Sequence, residues 1–305
     1  MHIIELAQGE LRAEIAPEVG GAIAAFWSDH AGRRVDWLRP ATEQALASRD
    51  PLSMGSFPLV PFCDRIRDGR ASFEGREIHF PLNHPHEDSA HPLHGMGWLL
   101  PWMVLDAGPT HAELALDMQA SLAWPWSWSA RQRFELTDQG LQVDMRIVNQ
   151  DDVAMPAGIG HHPCFPHTPG TRLAASMAAI WTADHDQMPV ALEEGGLVDR
   201  LRDGVTLAEL DLGNNFVGWG HEARIDWPAD SQGPARHLLM KADAPLDYFA
   251  LSSPRGFDHF CAAPVSQCAD WLNLLPSYGP GPLGGARVAA GAFLAARFSL
   301  HVRWS

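Results

Sequence analysis

Along most of this chain apolar and polar residues alternate with a period of two, and few stretches repeat at helical spacing. Leu11, Ala13 and Ile15 alternate with Arg12 and Glu14. Leu114, Leu116 and Met118 alternate with Glu113 and Asp117, and Leu141, Val143, Met145 and Ile147 with Gln142, Asp144 and Arg146. Successive side chains on a strand point to opposite faces, so each run predicts a strand with one buried and one wetter side. Residues 223–227, 236–240, 246–251 and 293–302 predict further strands, bounded by Gly, Pro or Asp. Many short strands with turns between them predict an all-β fold of stacked antiparallel sheets. The exception is 42–50, which reads as a short helix with Thr42 as its N-cap. The Pro/Gly-rich piece 277–285 has the composition of a linker. It lies too near the C-terminus to separate two domains, so the expectation is a single domain over 1–305.

Charge and composition narrow the function. The net charge is -15, and Lys241 is the single lysine among the 22 basic residues, so no basic stripe exists to bind nucleic acid. Imine chemistry would have only Lys241 as its amine. The four cysteines, Cys63, Cys164, Cys261 and Cys268, form no C-x-x-C pair. The first residues lack the pattern of a signal peptide, and no apolar run is long enough to cross a bilayer. Together these predict a reduced, cytoplasmic protein without a membrane partner. Twelve tryptophans offer either core packing or flat faces for sugar rings.

Three stretches carry candidate chemistry. In 155–166, Met-Pro-Ala-Gly-Ile-Gly-His-His-Pro-Cys-Phe-Pro, two adjacent imidazoles lie between a flexible Gly-Ile-Gly segment and a stiff proline. A rigidly held imidazole such as His162 can give and retake a proton near neutral pH. In 58–69 the cluster Asp64-Arg65-Ile66-Arg67-Asp68 offers Arg65 as a fork of donors for hydroxyls or an acidic substituent, with Asp64 or Asp68 as counter-charge. Between 83 and 98, four histidines (His84, His86, His91, His94) fall within eleven residues beside Glu87. His-x-His next to a carboxylate can hold a metal, but the spacing of Glu87 departs from such sites and no metal is expected. Of the four, His94 before Gly-x-Gly-Trp looks positioned.

These stretches, in this order, resemble the aldose 1-epimerase (galactose mutarotase) family. The resemblance rests on Asp64-Arg65-Ile66 followed by Gly69 and Phe73, on Leu93-His94-Gly95, on Gly160-His161-His162-Pro163-Cys164-Phe165, on Leu212-Gly213-Asn214 with Phe216 and Gly218-Trp219, and on Ala263-Pro264-Val265-Ser266. It implies a β-supersandwich of antiparallel sheets with a sugar bound across one open face, and no metal or organic cofactor. The mechanism it implies opens a cyclic hemiacetal. A histidine at His162 protonates the ring oxygen, a glutamate removes the anomeric proton, and reclosure gives the other anomer. Arg65 and His94 would orient the sugar, with His161, Asn214 and Trp219 also on the binding face.

The departures are as informative. The resemblance aligns Ala292 with the basic glutamate, and Gly213 and Ala263 stand where related sequences carry Asp and Glu. Asp64 stands where they carry Asn, which makes Asp64, or neutral His94 or His161, the candidate replacement base. With three acids gone, Arg65, Arg67 and Arg70 would be undercompensated, which favours an acidic sugar. The expectation is therefore an anomer-interconverting isomerase of a small sugar. A non-catalytic sugar-binding or sensing protein, and a lactonase or hydrolase using His162 to activate water, are the alternatives.

Overall fold

A computed structural model of the chain describes residues 2–86, 89–230 and 233–305. Two large sheets carry it, and all named strand pairs in them are antiparallel. The nine-stranded sheet runs in the order Val205–Thr206, Arg172–Ala175, Glu222–Trp227, Arg236–Ala242, Phe293–Trp304, Gly140–Asn149, Trp128–Thr137, His111–Met118 and Met103–Gly108. The second sheet orders Pro189–Glu193, Ala179–Ala183, Leu212–Val217, Tyr248–Ser253, His259–Val265, Gly160–His161 and Pro58–Leu59, with Cys164–Pro166 also pairing with His259–Val265. A four-stranded sheet, Ile4–Gln8 to Arg33–Asp36, opens the chain.

The alternating runs lie where the pattern predicts. In Gly140–Asn149, Leu141, Val143, Met145 and Ile147 are buried, while Gln142, Asp144 and Arg146 stay wetter. Trp128–Thr137 pairs with Gly140–Asn149 in one unbroken register from Trp128↔Asn149 to Thr137↔Gly140. Gly140 has to be glycine, because its φ is +147° and a Cβ there would stand 1.8 Å from the Leu300 carbonyl oxygen. The strand expected over 246–251 is Tyr248–Ser253 instead. The preceding residues are held in a turn, in which Leu246 N–H donates to Asp243 O and Asp247 N–H to Pro245 O.

The predicted helix is Glu43–Ser48, and the Thr42 hydroxyl oxygen accepts from the Ala45 N–H at 3.1 Å. Two further helices, Leu197–Asp203 and Trp271–Tyr278, carried no clear periodic signal, and the second even contains Pro276. The piece 277–285 is packed rather than free: Leu283 is fully buried, and the Tyr248 hydroxyl donates to Gly281 O at 2.6 Å.

One continuous cluster of buried side chains, from Ile4 to Leu300, joins the sheets. Ten of the twelve tryptophans belong to it, so this residue type serves packing far more than ligand stacking. The described residues include no helix long and apolar enough to cross a membrane.

Candidate functional site

The loop after Pro58–Leu59 is held in place by histidines. Asp64 N–H donates to His94 Nδ1 at 3.0 Å, and His94 N–H donates back to Asp64 O at 2.8 Å. Asp64 and His94 both have left-handed backbones (φ 58° and 62°), a conformation that Asp and His adopt more readily than most residues. A second brace repeats the device, with Asp68 N–H donating to His91 Nδ1 at 3.0 Å. Because His94 Nδ1 accepts, its proton sits on Nε2, which has no partner among the described residues. Burial, with His162 and Arg65 as lesser causes, holds the His94 pKa well below its ordinary value, so the ring is a neutral donor.

The loop turns Asp64 and Arg65 towards each other and into one hollow. Asp64 Oδ2 accepts from Asn215 Nδ2 at 2.9 Å, and Asn215 Oδ1 accepts from Ala269 N–H at 2.8 Å, which fixes the amide and thereby the carboxylate. Arg65 Nη1 lies 3.6 Å from Asp64 Oδ1, and its buried Nε has no partner among the described residues. An unpaired buried guanidinium N–H is costly, and this one has almost no surface open to the hollow.

His162 approaches from the other side. Its strand breaks at His162-Pro163, between Gly160–His161 and Cys164–Pro166, and its N–H donates to Phe57 O at 2.9 Å. The imidazole stacks on Phe57 (4.7 Å, 8°) and meets His94 edge-on at 5.3 Å. Gly158 and Gly160 do not supply flexibility here. They allow close approach, since a Cβ on Gly158 would meet Gln267 Oε1 at 1.2 Å and one on Gly160 would meet Pro264 O at 2.8 Å. Burial, with Arg39, His259 and Arg65 adding to it, pulls the His162 pKa down to about 4.

A hollow of about 170 Å³ is lined by Asp64, Arg65, His94, His162, Asn214 and Asn215, together with Trp181, Gln187, Gly213, Cys261 and Ala263. Five of the sequence candidates (Asp64, Arg65, His94, His162 and Asn214) therefore converge, although they lie up to 150 residues apart. Asn214 reaches it from Leu212–Val217, with its Nδ2 donating to Trp181 O at 2.8 Å.

Several expectations are corrected. His161 is fully buried on the opposite side of its strand. It accepts from the Ser56 hydroxyl at Nδ1 and donates from Nε2 to Gln132 Oε1 at 3.2 Å, so it has no nitrogen left for a ligand. Burial lowers its pKa to about 3. Trp219 is core, packed on Phe249 with its Nε1–H donated to Glu222 O. Ala292 lies in the turn before the last strand of the nine-stranded sheet, hydrogen-bonded to Ala289 and Asn149, and does not line the hollow. Of the three positions where the resemblance leads one to expect an acid, Ala263 and Gly213 line the hollow and Ala292 does not, and Gln187 Oε1 lies 3.3 Å from where a Cβ on Gly213 would be.

The expected arginine cluster dissolves too. Arg67 pairs with Asp270 at 3.3 Å, and Arg70 is exposed near His79, which leaves Arg65 as the cation of the hollow. The four histidines of 84–94 separate, with His86 pairing with Asp50, His91 with Asp68, and only His94 reaching the site. Glu87, weighed with them as a metal ligand, lies outside the described residues.

The cysteines are not all reduced. Cys164 and Cys261 stand opposite each other on neighbouring strands, Cα atoms 4.1 Å apart, and form a disulfide; Cys63 and Cys268 are buried free thiols. A separation of 97 residues hid this pairing from spacing arguments. Sequence reasoning also missed Asn215, Trp181 and Gln187. Asn215 alone gave a signal, as the second amide of an Asn-Asn pair on a strand beside an expected ligand.

Two stacked antiparallel sheets with a polar, histidine-lined hollow on one of them define a galactose mutarotase-like protein, and the aldose 1-epimerase family model matches residues 2–245. The chain belongs to the aldose 1-epimerase family. It is 29% identical over 319 residues to the uncharacterized protein YphB of Escherichia coli (strain K12), covering 100% of both chains. A solved structure from E. coli K12, of a protein with a provisional aldose 1-epimerase name, superimposes with a TM-score of 0.86 at 27% identity, covering 100% of this chain and 99% of that one. A galactose mutarotase-like protein from Clostridium acetobutylicum gives 0.83 at 17% identity, with 99% and 95% covered, and there the likeness concerns the fold.

Proposed function

We propose that the protein binds a cyclic sugar in the hollow and interconverts its anomers, with His162 as proton carrier at the ring oxygen and Asp64 as the group that takes the anomeric proton. The carrying observation is the convergence of Arg65, His94 with its Nε2 unpartnered among the described residues, the fixed Asp64 carboxylate and His162 in the lining of one hollow. Two fixed donors and one fixed acceptor around a hollow match the alternating hydroxyls of a sugar ring, and their positions cost nothing to organise on binding. Transfer of a proton from the imidazolium form of His162 to the ring oxygen as Asp64 takes the anomeric proton breaks the bond between the anomeric carbon and the ring oxygen; rotation about the bond from the anomeric carbon to its neighbouring carbon, then the reverse transfers, close the ring on the other face.

The lining balances one arginine against one aspartate and holds its histidines neutral, which supports a neutral sugar rather than the acidic one suggested by composition. Affinity for galactose or glucose, compared with the matching uronate across a salt series, tests this; a strongly salt-dependent preference for the uronate refutes it.

The second reading, a sugar binder without turnover, is favoured by Ala263. A carboxylate there would stabilise an imidazolium at His162; without it, burial, with Arg39, His259 and Arg65 adding to it, keeps that pKa down and the protonated form scarce at neutral pH. Exchange NMR on a panel of reducing sugars separates the two. Anomer exchange above the buffer rate supports the isomerase, and ligand-detected binding with exchange at the buffer rate supports the binder.

A further inference from the structure

The wall beneath His162 carries a second chemistry that anomer exchange does not use. Cys164 and Cys261 face each other across neighbouring strands, and His162 Nδ1 lies 3.6 Å from Cys164 Sγ. The three ligating atoms all lie within 4.8 Å of one another. A zinc ion bound to a thiolate at about 2.3 Å and an imidazole at about 2.0 Å in tetrahedral geometry sets sulfur and nitrogen roughly 3.5 Å apart. The observed 3.6 Å already meets this, and on reduction the two sulfurs have to part from their bonded distance to roughly 3.8 Å. We infer that Cys164, Cys261 and His162, once the disulfide is reduced, form a binding site for a thiophilic divalent cation of the zinc type, held by two sulfurs and Nδ1.

Two features support a metal over a bare thiol pair. His162 Nδ1 is already aimed at sulfur and its backbone is fixed through Phe57, so one ligand is pre-positioned. Two thiolates and a neutral imidazole also cancel the charge of a dication, so the nearby Arg39 imposes little penalty. His162 and Cys261 line the hollow, and three protein ligands leave a fourth position open on that side.

The steps balance. A dithiol reductant passes two electrons and two protons to the Cys164–Cys261 bond, which becomes two thiols as the dithiol closes to its own disulfide. Metal binding then releases both thiol protons to solvent, and the remaining proton of His162 sits on Nε2. Formation of the site consumes the imidazole that the proposed isomerase needs, so occupancy should switch sugar chemistry off. That consequence alone rests on the functional reading; the site itself does not.

The test is a Co²⁺ titration of the full chain in three states: oxidised, reduced and freed of reductant, and reduced with Cys164→Ser. The reduced protein should bind one Co²⁺ with thiolate-to-metal absorption in the near ultraviolet, and Zn²⁺ should displace it. The oxidised protein should bind none in this way. Cys164→Ser, Cys261→Ser and His162→Ala should each weaken binding by more than about a hundredfold, since losing mere outer partners of ligands already costs 10- to 100-fold. Reduced Cys63→Ala, altered at a buried thiol outside the site, should bind as the parent does. Circular dichroism on each variant separates loss of a ligand from loss of the fold. Equal binding by oxidised and reduced protein, no thiolate band, or a reduced Cys164→Ser that binds as tightly as the parent would overturn the assignment, whatever the fate of the sugar hypothesis.

Discussion

His161 and His162 are neighbours in the chain and opposites in the molecule. His161 spends both ring nitrogens on Ser56 and Gln132, against Phe298, and so helps tie the two sheets together. His162, one residue on, falls where the strand breaks, keeps Nε2 without a partner among the described residues, and lines the hollow. Pleat alternation sends the two rings to opposite sides, and the partners waiting there tie one into the core and leave the other open to the hollow.

Acid should reveal the structural ring with the largest effect. His161 has an ordinary pKa of 6.5 when unfolded and about 3 when folded, so below pH 6.5 the unfolded chain takes up a proton that the native state refuses. Stability is therefore complete above pH 6.5 and falls as pH drops towards 3, by on the order of 4 kcal/mol from this group. His94 and His162, also held below their ordinary values by burial, add to the same slope, so urea midpoints measured across that range check the three rings together; a flat profile means they are not buried as described.

A similar loss should follow from damage to the regular sheet alone. Phe134→Ala, fully buried in Trp128–Thr137, should cost about 3–5 kcal/mol by denaturant unfolding. Its sugar affinity per folded molecule should stay within about twofold. His162→Ala should do the reverse, lowering any anomer exchange by about a hundred- to ten-thousandfold while the unfolding midpoint moves little. If Phe134→Ala damages exchange as much as His162→Ala, packing and chemistry are not separated as this comparison claims.

Weaker effects sharpen the site further. Arg65→Ala should lose about 1.5–3 kcal/mol of sugar binding, the usual worth of a hydrogen bond from a charged group, read by calorimetry. The smallest effect belongs to Thr42→Ala, which removes the N-cap of Glu43–Ser48 at about 1 kcal/mol of stability and leaves sugar binding untouched.

How much of this was legible in the sequence follows the same division. The strands 11–16, 140–149 and 293–304 could be read because a half-buried strand writes its burial as alternation. The site sheet is built of strands as short as Pro58–Leu59 and Gly160–His161, too brief to show a period, so only the motifs pointed there. Those motifs placed Arg65, His94 and His162 but could not say that His161 faces the core. They also could not say that Ala263 lines the hollow and Ala292 does not, because that depends on which strand passes it. Asn215 and the Cys164–Cys261 pair escaped for the same reason, since their partners are 151 and 97 residues away.

The central claim is that the hollow between Arg65, Asp64, His94 and His162 exchanges the anomers of a sugar. Magnetisation-exchange NMR on galactose and glucose, with the oxidised protein at neutral pH, measures it directly. The account predicts exchange cross-peaks above the buffer rate that vanish with His162→Ala and weaken with Asp64→Asn. Binding without any protein-dependent exchange, or exchange that survives His162→Ala unchanged, would contradict it.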